Sequence, residues 1–137
     1  MDIRHEHAIE VVVHADAIDE LDHVNNAVYL QYVEQVARAH SDALGFPIER
    51  FLNARAVPVV RRHSIVYHSP ARDGESLRVH TRIQSMKGVR AVRATTITRG
   101  ETLVASVETE WVWIDPVTSR PIKIPEDVKA AFIAAQS

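Results

Sequence analysis

Cysteine is absent from this 137-residue sequence, which excludes disulfides, thiolate metal ligands and a cysteine nucleophile. The sequence also lacks a Gly-x-Ser-x-Gly elbow, a phosphate-binding glycine loop and a dinucleotide-binding glycine fingerprint. The serine hydrolase, nucleotide hydrolase and dehydrogenase classes therefore have no support. No apolar stretch near the start resembles a signal peptide, and no later run approaches membrane-spanning length. We therefore expect a cytoplasmic protein without membrane insertion.

Neither sign of charge dominates, since the formal net charge is -2 with the histidines counted as neutral. This balance gives no general electrostatic reason to bind nucleic acid or an anionic membrane. The length suits one domain, which we expect to span residues 1–137. A folded monomer of this size hides only about two thirds of the surface that its unfolded chain exposes. Self-association is therefore a natural supplement to the core.

A long helix is predicted over residues 27–44. Its apolar or semi-apolar residues recur at steps of three and four, which indicates one stripe facing a core. They are Tyr29, Val33, Val36, Ala37, His40 and Leu44. Asn25 or Asn26 is expected to cap the helix. Gly45 is expected to end it, because glycine tolerates the left-handed geometry that follows a helix.

Strands are predicted on both sides of this helix, the first over residues 9–13. The later strands alternate with period two and are rich in β-branched residues; they are residues 57–67, 76–84, 89–98 and 103–114. Short connections carrying Gly, Pro or Asp predict an antiparallel meander for the later strands. A final helix is expected over residues 126–135. The prediction is an α+β fold in which an antiparallel sheet wraps around one long central helix.

The densest cluster of reactive side chains, residues 19–26, lies directly before the predicted helix. A helix N-terminus offers unpaired N–H groups and partial positive charge, which polarise a carbonyl and stabilise an oxyanion. A carboxylate just upstream has two sensible roles, as general base for water or as nucleophile forming a mixed anhydride. The alternative is that Asp16, Asp19 and Asp22 are turn and capping residues, with His23 a solvated loop side chain.

The cluster resembles a known signature. The pattern reads Asp19-x-x-x-His23-Val24-Asn25-Asn26-x-x-Tyr29-Leu30-x-Tyr32-x-Glu34-x-x-Arg38. It is similar to the signature of the 4-hydroxybenzoyl-CoA thioesterase-like and acyl-ACP thioesterase families. Further matches are Val59-Val60-Arg61, Tyr67 and Pro70-Ala71 in the middle of the chain, and Trp111 to Asp115, Thr118, Arg120, Pro121 and Ile124 to Glu126 near its end. The resemblance covers almost the whole chain and implies a single hotdog domain.

The resemblance also implies roles for individual residues. Asp19 matches the catalytic carboxylate of these families, the second Asp of a D-x-D motif. His23 matches the histidine of the HVNN form, and Asn26 lies where a backbone N–H at the helix start meets the thioester carbonyl. Asn25 is expected to make ordering or polar contacts.

Three positions depart from the family pattern. Ala17 replaces the first Asp of D-x-D, Leu21 stands where plant acyl-ACP thioesterases carry a catalytic Asn, and Asp22 replaces the usual Gly before the histidine. Two roles are open for Asp22. It raises the pKa of Asp19 by like-charge repulsion, or it bonds to His23 and holds its tautomer.

Basic residues in the strand region supply most of the positive charge: Arg61, Arg62, Arg78, Arg82, Lys87, Arg90 and Arg93. They form a solvated sheet face, or one or two of them grip the phosphates of coenzyme A or phosphopantetheine. The resemblance favours Arg61 for the second role. Tyr29 is expected to pack or to line an acyl pocket. Arg78, His80 and Arg82 should share one face of their strand.

Other clusters are interpreted structurally. Glu34 and Arg38 are four apart on one helix face, which predicts an ion pair. His5 and His7 lack further identified ligands, and His63 and His68 should face opposite sides of a strand. We expect neither a metal nor a cofactor.

The sequence therefore predicts an acyl-CoA or acyl-ACP thioesterase. The resemblance implies a homodimer or homotetramer, with each active site combining the Asp19 loop of one subunit and strand residues between Arg61 and Ser64 of another. The acyl chain would enter an apolar channel between subunits. A hotdog acyl-thioester hydratase or dehydratase and a non-catalytic acyl-thioester binding module are the alternatives.

Overall fold

Alternating β-branched residues build one antiparallel sheet in the computed structural model, which describes residues 5–133. The elements are β1 (Glu6–Val12), a 3-10 turn (Ala15–Ala17), α1 (Asn26–Ala43), α2 (Ile48–Asn53), β2 (Val57–Tyr67), β3 (Ser76–Lys87), β4 (Arg90–Arg99), β5 (Thr102–Ile114) and α3 (Glu126–Ile133). The strand order is β1-β3-β4-β5-β2. The predicted meander is confirmed for β3, β4 and β5 but was wrong for β2, which pairs with β5 instead of β3. β1 and β2 are the two edge strands.

Helix α1 lies across the inner face of this sheet. Its buried side chains are Tyr29, Tyr32, Val33, Val36, Ala37 and His40. These include every residue of the predicted stripe except Leu44, which is half-buried just beyond the helix. Gly45 follows with a φ of 86°, so the predicted stop lies where left-handed backbone requires it.

The buried residues form two clusters along the helix. One packs the N-terminal half of α1 against β1, β3 and the ends of β4 and β5. The other lies under the C-terminal half, where Phe46, Phe51, Trp113 and Phe132 meet. Helices α2 and α3 contribute Phe51 and Phe132 to this second cluster.

Strand alternation is observed as expected on β3. Leu77, Val79, Thr81 and Ile83 are buried against the helix, whereas Arg78 and Arg82 are exposed on the other face. The strand continues to Lys87, so the hairpin turn to β4 is only Gly88 and Val89, two residues shorter than predicted. Gly88 has a φ of 64°, as tight two-residue turns require.

Helix α2 is an element that the sequence pattern does not predict, and Pro47 is its N-cap. Its φ of -66° is compatible with the residue before a helix, and the helix itself is six residues long. The last residues of the predicted C-terminal helix, 134 and 135, lie outside the described residues. Within residues 5–133 no helix is long and apolar enough to cross a membrane. The cytoplasmic location stays a prediction.

Candidate active site

The Asp19 loop is a tight hairpin closed by its own backbone. Ile18 and Val24 form an isolated antiparallel bridge, and the N–H of Asp19 donates to the carbonyl of His23 at 2.8 Å. Within the hairpin, Oδ1 of Asp19 accepts from the N–H of Leu21 at 2.9 Å and from the N–H of His23 at 3.3 Å. No hydrogen bond within residues 5–133 uses Oδ2 of Asp19. One carboxylate oxygen therefore anchors the turn while the other stays available.

Asp22 occupies the left-handed region, with a φ of 64°. This conformation explains why glycine is usual at this position of the family pattern, and Asp is one of the few other residues that tolerate it. In the described part of the chain the Asp22 carboxylate makes no hydrogen bond to His23 or to any other residue. For Asp22, the structure therefore shows a left-handed backbone conformation and no hydrogen bond from its carboxylate to His23 within residues 5–133.

The start of α1 carries a free amide. Oδ1 of Asn25 accepts from the N–H of Ala27 at 2.9 Å, so Asn25 is the N-cap. The N–H of Val28 donates to the carbonyl of Asn25, whereas the N–H of Asn26 has no acceptor among residues 5–133. Asn26 is exposed, and its carbonyl accepts from the hydroxyl of Tyr67 at 3.3 Å. The helix N-terminus therefore presents an unpaired donor beside the Asp19 loop.

Tyr29 braces this region from inside. Its side chain is 2% exposed, and its hydroxyl oxygen accepts from the N–H of Ala71 at 3.1 Å. The carbonyl of Ala71 in turn accepts from the N–H of Val24 at 2.9 Å. Burial raises the pKa of Tyr29 above its usual value, so the phenol stays protonated. The predicted pocket residue thus ties the β2–β3 loop to the Asp19 hairpin.

Arg61 and Ser64 lie on β2, the edge strand. Arg61 is the extra residue of a β-bulge, and its Nη1 lies 2.9 Å from Oε1 of Glu110. Glu110 is only 6% exposed and is also approached by Arg62 and Arg90. Ser64 is exposed. Among the described residues, no hydrogen bond or ion pair joins Arg61 or Ser64 to the loop of residues 19–26.

The prediction for the ion-pair partner of Glu34 was wrong. Glu34 makes no ion pair with Arg38 within the described residues; its Oε2 lies 3.8 Å from Nε2 of His63 instead. Nδ1 of that histidine is 2.8 Å from Oγ1 of Thr109, on the inner face of the sheet. His68 contacts Ser106 on the other face, so the two histidines do face opposite sides. No group of three or more metal-binding side chains occurs in residues 5–133.

Arg93 was grouped with the solvated sheet face, but it is only 5% exposed and faces α1. Its Nη1 lies 3.0 Å from Nδ1 of His40 and 3.5 Å from Oγ1 of Thr81, which also accepts from Thr95 at 2.9 Å. The missed signal was strand parity, because Arg93 alternates in step with Ala91, Thr95 and Ile97, all buried.

A five-stranded antiparallel sheet around one central helix defines a hotdog fold. The model of the Thioesterase-like superfamily matches residues 12–132, and the chain belongs to that superfamily. The predicted family and fold are thereby confirmed.

Individual relatives agree with this assignment. The chain is 31% identical over 108 residues to the acyl-CoA thioester hydrolase YbgC of Escherichia coli, covering 76% of this chain and 81% of that protein. It is 23% identical to the acyl-acyl carrier protein thioesterase ATL3 of Arabidopsis thaliana, covering 93% of this chain and 67% of the relative. The DHNA-CoA thioesterase of Staphylococcus aureus superposes with a TM-score of 0.88 at 18% identity, covering 96% of this chain and 91% of that one.

Proposed function

We propose that this protein hydrolyses acyl-CoA or acyl-carrier-protein thioesters to the free acid and the thiol, with Asp19 and the N–H of Asn26 at the reacting carbonyl. The observation that carries the proposal is the pairing of an unused helix-start amide with an unused carboxylate oxygen in adjoining segments. The names of the relatives, which are thioester hydrolases, support the same reaction class.

The chemistry follows from these two groups. The thioester carbonyl oxygen accepts from the Asn26 N–H, and the partial positive charge of the 18-residue helix stabilises the oxyanion. Oδ2 of Asp19 then takes a proton from the attacking water, or attacks the carbon itself to give a mixed anhydride that water opens. In either route the C–S bond breaks and the thiolate leaves and takes up a proton.

The neighbouring residues position this machinery. Asn25 fixes the first turn of α1 through its cap, and the backbone of His23 fixes the Asp19 carboxylate. The His23 ring is half-buried in the same hairpin, where it orders the loop or contacts the substrate. Tyr29 holds the wall behind the site through Ala71.

We further propose a homodimer or homotetramer whose active sites lie between subunits. β2 is an edge strand, and an edge strand presents unpaired N–H and C=O groups that a second strand can pair with. An interface formed by pairing through β2 would bring Arg61 and Ser64 of one subunit to the Asp19 loop of another. Arg61 would then grip a phosphate of coenzyme A or phosphopantetheine, while keeping its contact with Glu110.

The test is turnover of a panel of acyl-CoA and acyl-carrier-protein thioesters, with free thiol and free acid both quantified. We expect stoichiometric release of the two products. The Asp19→Asn protein, checked for the same oligomeric state, serves as the blank. A hydratase or dehydratase would change the acyl group without releasing thiol, and a binding module would retain the thioester unchanged; either result would contradict the proposal.

A further inference from the structure

A cavity of about 300 Å³ lies under the C-terminal half of α1, away from the Asp19 hairpin. Most of its lining is apolar and includes Ala37, Phe46, Phe51, Ile83, Met86 and Phe132. Its size is at the lower end for small-molecule sites and suits a short acyl or aryl group. The apolar lining alone would accept any such group.

Two polar atoms of the lining residues are buried donors without acceptors. Nε1 of Trp111 and Nε1 of Trp113 are both buried and have no hydrogen-bond partner within residues 5–133. A buried donor left unpaired is destabilising, because it has lost its hydrogen bonds to water. Trp113 is only 4% exposed, so solvent does not satisfy it readily. Both tryptophans line the cavity, where a bound acceptor would pair with these donors.

Arg93 adds a positive charge to the same cavity. Among residues 5–133 it makes no ion pair with a carboxylate, and its hydrogen bonds, to His40 and Thr81, use only Nη1. Its Cζ lies 5.5 Å from the centroid of the Phe132 ring. Burial lowers the pKa of Arg93 to about 9, so the guanidinium stays protonated at neutral pH. A buried charge without a counter-ion is destabilising, and a bound anion would offset that cost.

The mouth of the cavity opens at the β2 edge. Val59 and Val60 of β2 line it, together with the exposed helix residues Glu34, Arg38 and Asp42. Glu34 is eight residues beyond Asn26, which is about 12 Å along the helix. The mouth is thus distant from the Asn26 amide of its own chain, but it adjoins Arg61, which the proposed interface places beside the Asp19 loop of a second subunit.

We propose that this cavity binds the acyl group of the thioester and that Arg93, Trp111 and Trp113 select acyl groups ending in a carboxylate. This inference rests on the proposed function, since it names the substrate class of that site. A terminal carboxylate has enough lone pairs for both indole N–H groups and the guanidinium. An unsubstituted alkyl end would leave both indole N–H groups unpaired and the Arg93 charge without a counter-ion, and a hydroxyl end would still leave the charge without one.

The kinetic test compares glutaryl-CoA and adipoyl-CoA with pentanoyl-CoA and hexanoyl-CoA, which match them in carbon number. We expect kcat/KM of the wild type to favour the carboxylate-bearing substrates by about 10-fold to 100-fold, as polar recognition in a buried site allows. Arg93→Met should abolish this ratio, and Arg93→Lys should restore part of it. The matched control is Arg82→Met, because Arg82 is exposed on the outer face of the sheet. An unchanged ratio in Arg93→Met would overturn the proposal.

Folding of the Arg93 variant provides a second readout. Because Arg93→Met removes a buried charge that has no counter-ion among the described residues, its Tm should equal or exceed that of the wild type. If Arg93→Met does not fold, Trp111→Phe and Trp113→Phe keep the ring and remove one donor each. Their substrate ratio should fall about 3-fold to 10-fold, since each variant removes one of the three donors to the carboxylate. No change of the ratio in either variant would also overturn the proposal.

A binding experiment separates this inference from the proposed function. Trp111 and Trp113 are the two tryptophans of the chain, and both line the cavity. Monomethyl glutarate should change the tryptophan fluorescence of the wild type and not of Arg93→Met, whereas uncharged dimethyl glutarate should change neither. If thiol is released but neither the fluorescence change nor the preference for carboxylate-bearing substrates is observed, only the inference about the cavity is rejected. No thiol release from any thioester, with the response intact, would reject the proposed function alone.

Discussion

Oδ1 of Asp19 accepts a hydrogen bond from the backbone N–H of Leu21 at 2.9 Å, so the candidate catalytic carboxylate is also a turn residue. The two interpretations that compete at the level of sequence are therefore compatible. Oδ1 holds the hairpin, and Oδ2 has no hydrogen-bond partner within residues 5–133. This division of labour makes the two functions of Asp19 experimentally separable.

Asp19→Asn should separate them, because the amide oxygen still accepts from Leu21 and His23 while the base or nucleophile is lost. We expect kcat/KM to fall about 10²-fold to 10⁴-fold with little change in stability. Asp19→Ala should lose similar activity and, in addition, about 1 kcal/mol of unfolding free energy from the missing turn bonds. Thiol-release kinetics and urea unfolding of both proteins measure the two effects. Equal activity of Asp19→Asn and the wild type would show that Asp19 is only a turn residue.

Asp22→Gly should not destabilise the protein, since the backbone at this position has a φ of 64°. Left-handed backbone costs a side-chain-bearing residue about 1–2 kcal/mol, and glycine avoids that cost. Asp22→Val should be destabilising, because β-branched residues are strained in this region. Urea midpoints of the three proteins give the comparison. A valine variant as stable as the glycine variant would mean that the hairpin adopts another backbone conformation.

Tyr29→Phe should lower the unfolding free energy by about 1–3 kcal/mol, because the N–H of Ala71 loses its acceptor in a buried position. Tyr32→Phe is the matched control, since Tyr32 lies on the same helix face and its hydroxyl bonds to no described residue. The control should change stability by less than about 0.5 kcal/mol. Equal losses in the two variants would contradict the bracing role of the Tyr29 hydroxyl.

Local signals and tertiary contacts differ in how well the sequence predicts them. The cap at Asn25 and the stop at Gly45 depend on short-range geometry, and both were predicted at or within one residue. The partner of Glu34 was predicted wrongly, because His63 reaches it across the layers and no spacing along the chain encodes that approach. Arg93 was misplaced because a positive charge was weighted above strand parity. The free amide of Asn26 was expected from the family resemblance, and its role in catalysis stays a prediction.

The proposed interface predicts complementation between inactive subunits. Asp19→Asn and Arg61→Ala should each lose activity alone, the first through chemistry and the second through weaker substrate binding at subsaturating thioester. In a mixed dimer, one site combines both substitutions, while the other combines the intact Asp19 of one subunit with the intact Arg61 of its neighbour. Co-refolding equal amounts should therefore restore about a quarter of the wild-type activity, since half of the dimers are mixed and each has one intact site.

The control for this experiment mixes Asp19→Asn with Asn25→Ala. Both substituted residues belong to the part of the active site that a single subunit supplies. Both substitutions lie on the same loop and helix start, so each site of a mixed dimer with an intact Asp19 carries the altered cap. Activity in that mixture should not exceed the average of the two proteins refolded alone. If the mixed Asp19 and Arg61 variants likewise give only the average of their separate activities, the proposed active site between subunits is contradicted. Asp19 and Arg61 then act in the active site of the same subunit, or Arg61 acts in no active site and only contacts Glu110.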